Sequence, residues 1–511
     1  MFNFTRALDR NADRAPDREA VAFYEQRMTN RELSVRVNAL AAGLLELGVG
    51  RGDVVALLTN NCPEYLEATL AINKIGAIFL ALNFRLAPPE WQYILAHAQT
   101  RAIIAGPEFV GAIDSIAPQL SVGMIRIALA NEVPQWHSYA SLVEANAGRI
   151  VPTEEVDEGD VQRLMYTSGT TSRPKGVPLT YGNVLWKIFG HIVEFGLTSS
   201  DRTLMAGPMY HVGAFDLPGT GTLYVGGSLV ILRKFDANDV MKAIERERPT
   251  NVWLAPAMVN ALLQLPDLGH FDASSIRFIV NGGEKMPVSL IQRVLAAFPN
   301  AWLADAYGLT ETVSGDTFLD RENAIAKIGS VGKPVLHLDV KIVRENGNAA
   351  LPNELGEIVL RGPKVFRGYW RDPEATAAVI HDGWFHTGDV GRVDKEGYLY
   401  IEDRKKDMIV SGGENIASPE VERVLYQHPA VLEAAVVATP DERWGEVPKA
   451  YVVLKQGQAA TAQQLIEFCS AHLAKFKVPR AVEFIAELPR NPSGKVLKRE
   501  LRQRRVGEGK D

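Results

Sequence analysis

Short apolar segments alternate with amphipathic ones along the first third of this chain, and that alternation narrows its fold more than any other feature. Thr29 and Glu32 have the spacing of a capping box, and Leu33, Val37, Leu40 and Leu44 then fall on one helical face. Gly48 and Gly50 end that helix, and residues 53–59 read as a buried strand. A second helix is predicted from Pro63 to about Ile75, with further strands at 77–81 and 101–105. The pattern recurs at 228–232, 251–255 and 276–280. Apolar strands joined by helices form a parallel sheet covered on both faces.

From about residue 335 the texture changes. Segments 337–343, 356–361 and 397–401 are β-rich and separated by turn residues such as 345–348, which predicts a small antiparallel or barrel-like subdomain. The charged run 402–407 then precedes a last αβ segment. There Ser418 and Pro419 are expected to start a helix as N-cap and first residue. Strands are expected at 432–437 and 449–454, an amphipathic helix at 461–475 and a basic, solvated helix at 497–505. The expected fold class is α/β: a large N-terminal domain of parallel-type βα sheets with a β-barrel-like subdomain, residues 1–403, then a small α+β domain, residues 404–511.

Composition excludes several functions. A chain of 511 residues is too long for one core. A net charge of −6 argues against a nucleic-acid partner held by bulk charge. The two cysteines, Cys62 and Cys469, are far apart and support neither a zinc site nor a disulfide framework. The N-terminus lacks an apolar signal region, and no apolar stretch reaches the roughly 18 residues of a membrane span. The expectation is a cytoplasmic protein without a transmembrane segment, for which peripheral membrane contact and a homodimer stay open.

The most informative stretch is 164–177, an apolar strand running into a loop of Thr167, Ser168, Gly169, Thr170, Thr171 and Ser172 closed by Lys175 and Gly176. Small hydroxyl residues and glycine let backbone N–H groups approach phosphate oxygens, and the lysine adds a point charge. The spacing is not Gly-x4-Gly-Lys-Ser/Thr, so the ordinary nucleotide-hydrolase loop is excluded. Tyr166-Thr-Ser-Gly-Thr-Thr-Ser-Arg-Pro-Lys-Gly176 instead resembles the signature loop of the adenylate-forming superfamily, which includes acyl-CoA synthetases, luciferases and peptide-synthetase adenylation domains. Four further segments resemble its motifs, in order: 306–311 (Ala-Tyr-Gly-Leu-Thr-Glu), 383–389 (Gly-Trp-Phe-His-Thr-Gly-Asp), 403–415 and 489–495 (Pro-Arg-Asn-Pro-Ser-Gly-Lys). The resemblance covers essentially the whole chain.

The resemblance implies roles position by position. Ala306, Tyr307 and Gly308 lie in the adenine and magnesium segment, where Thr310 contacts the α-phosphate and Glu311 holds Mg2+, a cation that prefers oxygen ligands. Asp389 accepts the ribose hydroxyls with help from Arg404. Gly282 and Gly283 allow close approach to adenine, and Glu284 stands where many relatives carry a small residue, which leaves backbone contacts intact. Lys495 offsets the repulsion between two anions, the carboxylate and the α-phosphate. His211 sits at the mouth of the acyl pocket, and Val212, Gly213 and Ala214 after it suggest an apolar acid. Amino-acid-activating relatives place an aspartate a few residues on, and Asp216 stands near that place. Gly412 and Gly413 resemble the glycines that let pantetheine pass, and Lys406 resembles the pivot about which a mobile C-terminal domain swings between half-reactions.

Taken together these features predict a ligase that uses ATP, Mg2+ and coenzyme A to convert a small-molecule carboxylic acid to acyl-AMP and then to acyl-CoA. With about sixteen residues after Lys495, no carrier domain is expected. A medium- or long-chain fatty acid is the leading substrate, aryl or hydroxycinnamate acids the close second, and a stand-alone adenylation module loading a separate carrier the reading from another class.

Overall fold

Leu33, Val37, Leu40 and Leu44 are fully buried on one face of the helix Asn30–Glu46, which Thr29 and Glu32 cap through reciprocal bonds. The structure, a computed structural model, describes residues 3–120, 123–130, 132–167, 173–284, 286–404, 407–411, 414–441, 443–490 and 495–504. Two largely parallel sheets carry its larger part. One has seven strands, in the order His137–Ser138, Ile125–Ala128, Thr100–Ala105, Val54–Leu58, Ile78–Ala81, Val161–Thr167 and Lys175–Thr180, with only the last pair antiparallel. The other has nine strands, and Trp302–Tyr307, Phe278–Asn281, Asn251–Leu254, Arg202–Met205, Ser228–Ile231 and Glu19–Phe23 run parallel through its middle. Central strands such as Val54–Leu58 and Phe278–Asn281 are buried along their whole length, as a sheet sandwiched between helices requires.

The β-rich segment is a five-stranded antiparallel sheet built from Asp339–Val343, Gly356–Arg361, Ile380–His381, Trp384–Val393 and Leu399–Arg404. After it comes a separate apolar core that includes Ile409, Val421, Leu425, Val436, Val452 and Leu465. It packs on the sheet of Ile409–Ser411, Glu414–Ile416, Val431–Asp441, Gly445–Leu454 and Ala481–Phe484.

One local expectation needs correction. Ser418 is the first residue of the helix Ser418–Leu425 rather than its N-cap, which is Ala417. The reason is a competing acceptor: both the backbone N–H and the hydroxyl of Ser418 donate to Asp403 Oδ2, at 2.8 and 2.7 Å. Asp403 thereby ties the strand Leu399–Arg404 to the C-terminal segment.

Candidate active site

The strand Trp302–Tyr307 delivers the chain into a loop whose backbone is unusual. Thr310–Thr312 makes a single 3-10 turn, and Val313, Ser314 and Gly315 follow with φ of +57°, +60° and +63°. Left-handed backbone at a β-branched residue costs on the order of 1–3 kcal/mol and persists only where its surroundings over-determine it. Here the surroundings are a buried lysine. Lys364 Nζ donates to the carbonyls of Ser314 (2.9 Å) and Gly315 (2.7 Å) and to Asp316 Oδ1 (2.7 Å). Asp316 Oδ2 accepts from the Thr312 hydroxyl at 2.6 Å. Gly308 is required at the loop's entry, because a Cβ there would lie 2.4 Å from the Gly315 nitrogen.

This frame presents Thr310 and Glu311. The Glu311 carboxylate is buried, its backbone carbonyl accepts from Phe366 N–H at 2.8 Å, and its Oε1 accepts from the Tyr369 hydroxyl at 3.0 Å. Burial pushes its pKa up, against the Tyr369 hydrogen bond. The Tyr369 ring also lies under Lys175, whose Nζ is 4.9 Å from the ring centroid. Lys175 opens the strand paired with Val161–Thr167, directly opposite Thr167. Ser168, Gly169, Thr170 and Thr171 lie outside the described residues. Lys175, Tyr369 and Glu311 are therefore contiguous. Tyr369 is a site residue that sequence reasoning missed; its signal was an aromatic after Gly368 in the segment that follows Gly356–Arg361.

Asp389, in Trp384–Val393, is 6% exposed. Its Oδ2 accepts from the Tyr307 hydroxyl at 2.7 Å and its Oδ1 lies 3.3 Å from Arg404 Nε, across a strand pair in which Asp389 and Arg404 are register partners. Burial, then the Asp389 charge, holds the Tyr307 phenol well above its ordinary range. Gly282 follows the buried strand Phe278–Asn281, and a Cβ on it would sit 3.3 Å from the Ala306 carbonyl, while Gly283 takes φ +100°. Beyond them Glu284 Oε1 accepts the Val496 N–H at 2.9 Å. That contact brings in Lys495, which is partly buried. Burial and the Arg404 cation lower its pKa to about 8, against Asp389, Glu284 and Asp407. Thus Asp389, Arg404, Glu284 and Lys495, widely spaced in sequence, share one electrostatic site. Lys406, Gly412 and Gly413 lie outside the described residues.

His211 caps Val212–Phe215, with its Nδ1 accepting from Gly213 N–H at 3.1 Å. That bond leaves the proton of the neutral ring on Nε2. Burial lowers the His211 pKa to about 4, so the ring is uncharged near neutrality. Val212 and Ala214 are buried, and a Cβ on Gly213 would meet the Trp253 ring at 3.0 and 3.1 Å. Asp216 is not open to a substrate ammonium. It is fully buried, and its two oxygens accept from Arg163 Nη1 and Nη2 at 2.7 and 2.9 Å. Lys187 Nζ adds bonds to the Asp216 carbonyl and to Thr220. Burial alone would raise the Asp216 carboxyl, but Arg163 and Lys187 outweigh it and hold its pKa below the ordinary value.

The donor set suits magnesium. Among the described residues no three His, Cys, Asp or Glu side chains converge as a metal cage. Magnesium needs none, since it binds through one or two carboxylates together with substrate phosphates and water. Glu311, beside the Thr310 hydroxyl and within reach of the Lys175 side of the site through Tyr369, is a carboxylate so placed.

Comparisons with known proteins find relatives along nearly the whole chain. Residues 8–370 match the model of the AMP-binding enzyme family, and residues 420–495 match that of the AMP-binding enzyme C-terminal domain. A feruloyl-CoA synthase of an Amycolatopsis species is 41% identical over 497 residues, covering 97% of each chain. A long-chain-fatty-acid–CoA ligase of Mycobacterium tuberculosis is 37% identical over 479 residues, covering 93% of each. Among solved structures, the anthranilate CoA ligase AuaEII in complex with anthranoyl-AMP superposes with a TM-score of 0.90 at 31% identity, over 98% of this chain and 96% of that one.

Proposed function

The chain belongs to the AMP-binding enzyme family, and on that premise we propose that it activates an aromatic carboxylic acid and passes it to coenzyme A. As an AMP-forming acid–thiol ligase it uses ATP, Mg2+ and CoA. In the first half-reaction a carboxylate oxygen bonds to the α-phosphorus of ATP and pyrophosphate leaves. In the second the CoA sulfur bonds to the acyl carbon, and AMP and the thiol proton leave.

The described side chains divide this work. Lys175 meets the outer phosphates, and the Thr310 hydroxyl meets the α-phosphate. Glu311 holds magnesium, which when bound neutralises the leaving pyrophosphate. Asp389, oriented by Tyr307 and Arg404, accepts the ribose hydroxyls. Lys495 lies between the two anions that must approach, where a cation lowers the barrier. Neutral His211 donates from Nε2 toward the acyl carboxylate without adding a charge. Residues 404–511 form a mobile domain that leaves after adenylation, and the protein works in the cytoplasm.

One observation carries the choice of acid: the Trp253 indole packs directly against Gly213, its ring centroid 5.7 Å from that of His211. An indole beside His211 gives the acyl side an aromatic wall against which a planar acid can pack. The Arg163–Asp216–Lys187 cluster nearby is fully buried and paired within itself, so it offers no charge to a polar acid. The feruloyl and anthranilate ligases among its relatives support the same choice. A fatty acid is the second reading, favoured by the long-chain ligase. Pyrophosphate release should be measured for hydroxycinnamates, benzoates and fatty acids, with and without CoA. Aromatic acids are expected to show the higher kcat/KM, with AMP release dependent on CoA. Preference for fatty acids would overturn the choice of acid, and AMP release indifferent to CoA would favour carrier loading.

A further inference from the structure

Glu284 grips the Lys495 loop at both of its stems. Arg490 and Val496 face each other as an antiparallel bridge, so they frame the segment that ends at Lys495. Glu284 Oε1 accepts the N–H of Val496, the residue next to Lys495, at 2.9 Å. Its Oε2 lies 3.6 Å from Arg490 Nη1. Arg490 is anchored in turn to the C-terminal sheet, with Nη2 2.6 Å from Glu433 Oε1. One carboxylate, 212 residues before Val496, therefore meets both residues of that bridge.

The position of Glu284 adds a consequence. It follows Gly282 and Gly283, the turn proposed to approach the adenine, just beyond the buried strand Phe278–Asn281. The same turn that meets the nucleotide also holds the loop that delivers the lysine.

We infer that Glu284 is a positioning residue for adenylation: its carboxylate docks the Arg490–Val496 hairpin so that Lys495 reaches the reacting atoms. Glu284 touches no reacting atom itself. A charged acceptor makes a stronger bond to a backbone N–H than a neutral one, and misplacement of a catalytic group by about 1 Å costs on the order of a hundredfold. The contact is about a quarter exposed, with side-chain exposures of 26% for Glu284 and 25% for Arg490, so it can release when the Lys495 segment must leave. The inference rests on the two-step ligase reading above.

The test compares the two half-reactions in the full-length protein. Adenylation is read as pyrophosphate release from ATP and acid, and thioester formation as acyl-CoA produced from supplied acyl-AMP and CoA. Glu284→Ala should lower adenylation by about 10- to 100-fold relative to thioester formation, the range a charged hydrogen bond supports. Glu284→Gln, which keeps an acceptor for Val496 but loses the ion pair, should fall less, and Arg490→Met should shift the ratio in the same direction. Hydrogen exchange at the Val496 amide of the wild-type protein supplies a reading that needs no variant: protection is expected with ATP bound. Equal falls in both half-reactions, an unchanged ratio, or an unprotected Val496 amide would overturn the inference. Failure of the wild-type protein to carry out either step would instead overturn the ligase reading.

Discussion

The loop carrying Thr310 and Glu311 and the hairpin carrying Lys495 meet at one site, yet they are held by opposite means. Behind the first, Lys364 and Asp316 are 1% and 0% exposed, and the lysine's donors are used on two carbonyls and a carboxylate of the same loop. Behind the second stand Glu284 and Arg490, a quarter exposed. Breaking a buried ion pair costs about 3–5 kcal/mol, whereas an exposed one is worth only about 0–1 kcal/mol. On the proposed assignment, the phosphate and metal side is thus fixed when the chain folds, and the lysine side is bound weakly enough to exchange. A two-step reaction with one site calls for that division.

The sharpest way to break the comparison is to remove the lysine. Lys495→Ala should lower adenylation by about 10²–10³, the cost of losing one electrostatic stabiliser, while thioester formation from supplied acyl-AMP and folding stability stay near wild type. Loss of both half-reactions would place Lys495 in the fixed part of the site.

The mirror experiment is Lys364→Met. It strands Asp316 and the carbonyls of Ser314 and Gly315 without partners in the interior, so about 3–5 kcal/mol of stability should be lost in urea unfolding. Both half-reactions should suffer together, because Thr310 and Glu311 move with the loop. A variant as stable as wild type would show that the left-handed turn holds itself.

Sequence reading reached unequal depths in these two regions. Strands and helices were legible where periodicity is local, as with the buried stripe on Asn30–Glu46 and the strand Asn251–Leu254. The motif residues Asp389, Arg404 and Lys495 were legible through resemblance, but their convergence depends on pairings across the chain. Lys364 and Tyr369 are not legible because their partners lie about fifty to sixty residues away, and a lone lysine between Pro363 and Val365 gives no sign of burial. Asp216 was ambiguous for the same reason: Arg163, which neutralises it, is 53 residues earlier.

A smaller effect is expected on the acyl side. A Cβ on Gly213 would already press on Trp253, so Gly213→Leu must push the indole aside and narrow the proposed acyl pocket. The turnover ratio of small to bulky aromatic acids should rise by roughly tenfold, with ATP binding unchanged, in line with the roughly 1–3 kcal/mol that one methylene decides in a pocket. An unchanged ratio would mean that Gly213 does not face the acid.

The mildest prediction separates the two steps by pH alone. Lys495 must be charged to act, and burial together with Arg404 brings its pKa down to about 8. Its contribution is therefore complete below that value and lost as pH rises through it. About half of the lysines carry the proton at pH 8 and about one-tenth at pH 9, so kcat/KM for adenylation should decline over that interval. His211 adds no limb there, since its pKa is near 4. Thioester formation should move the other way, because an alkyl thiol ionises in the alkaline range and the attacking CoA gains thiolate with rising pH. Lys495→Arg should abolish the alkaline decline in adenylation, as a guanidinium stays charged throughout. Glu284→Gln should bring the decline to lower pH, because Glu284 is one of the anions that raise the lysine's pKa. A decline that persists in Lys495→Arg would assign it to another group and detach the pH profile from the hairpin.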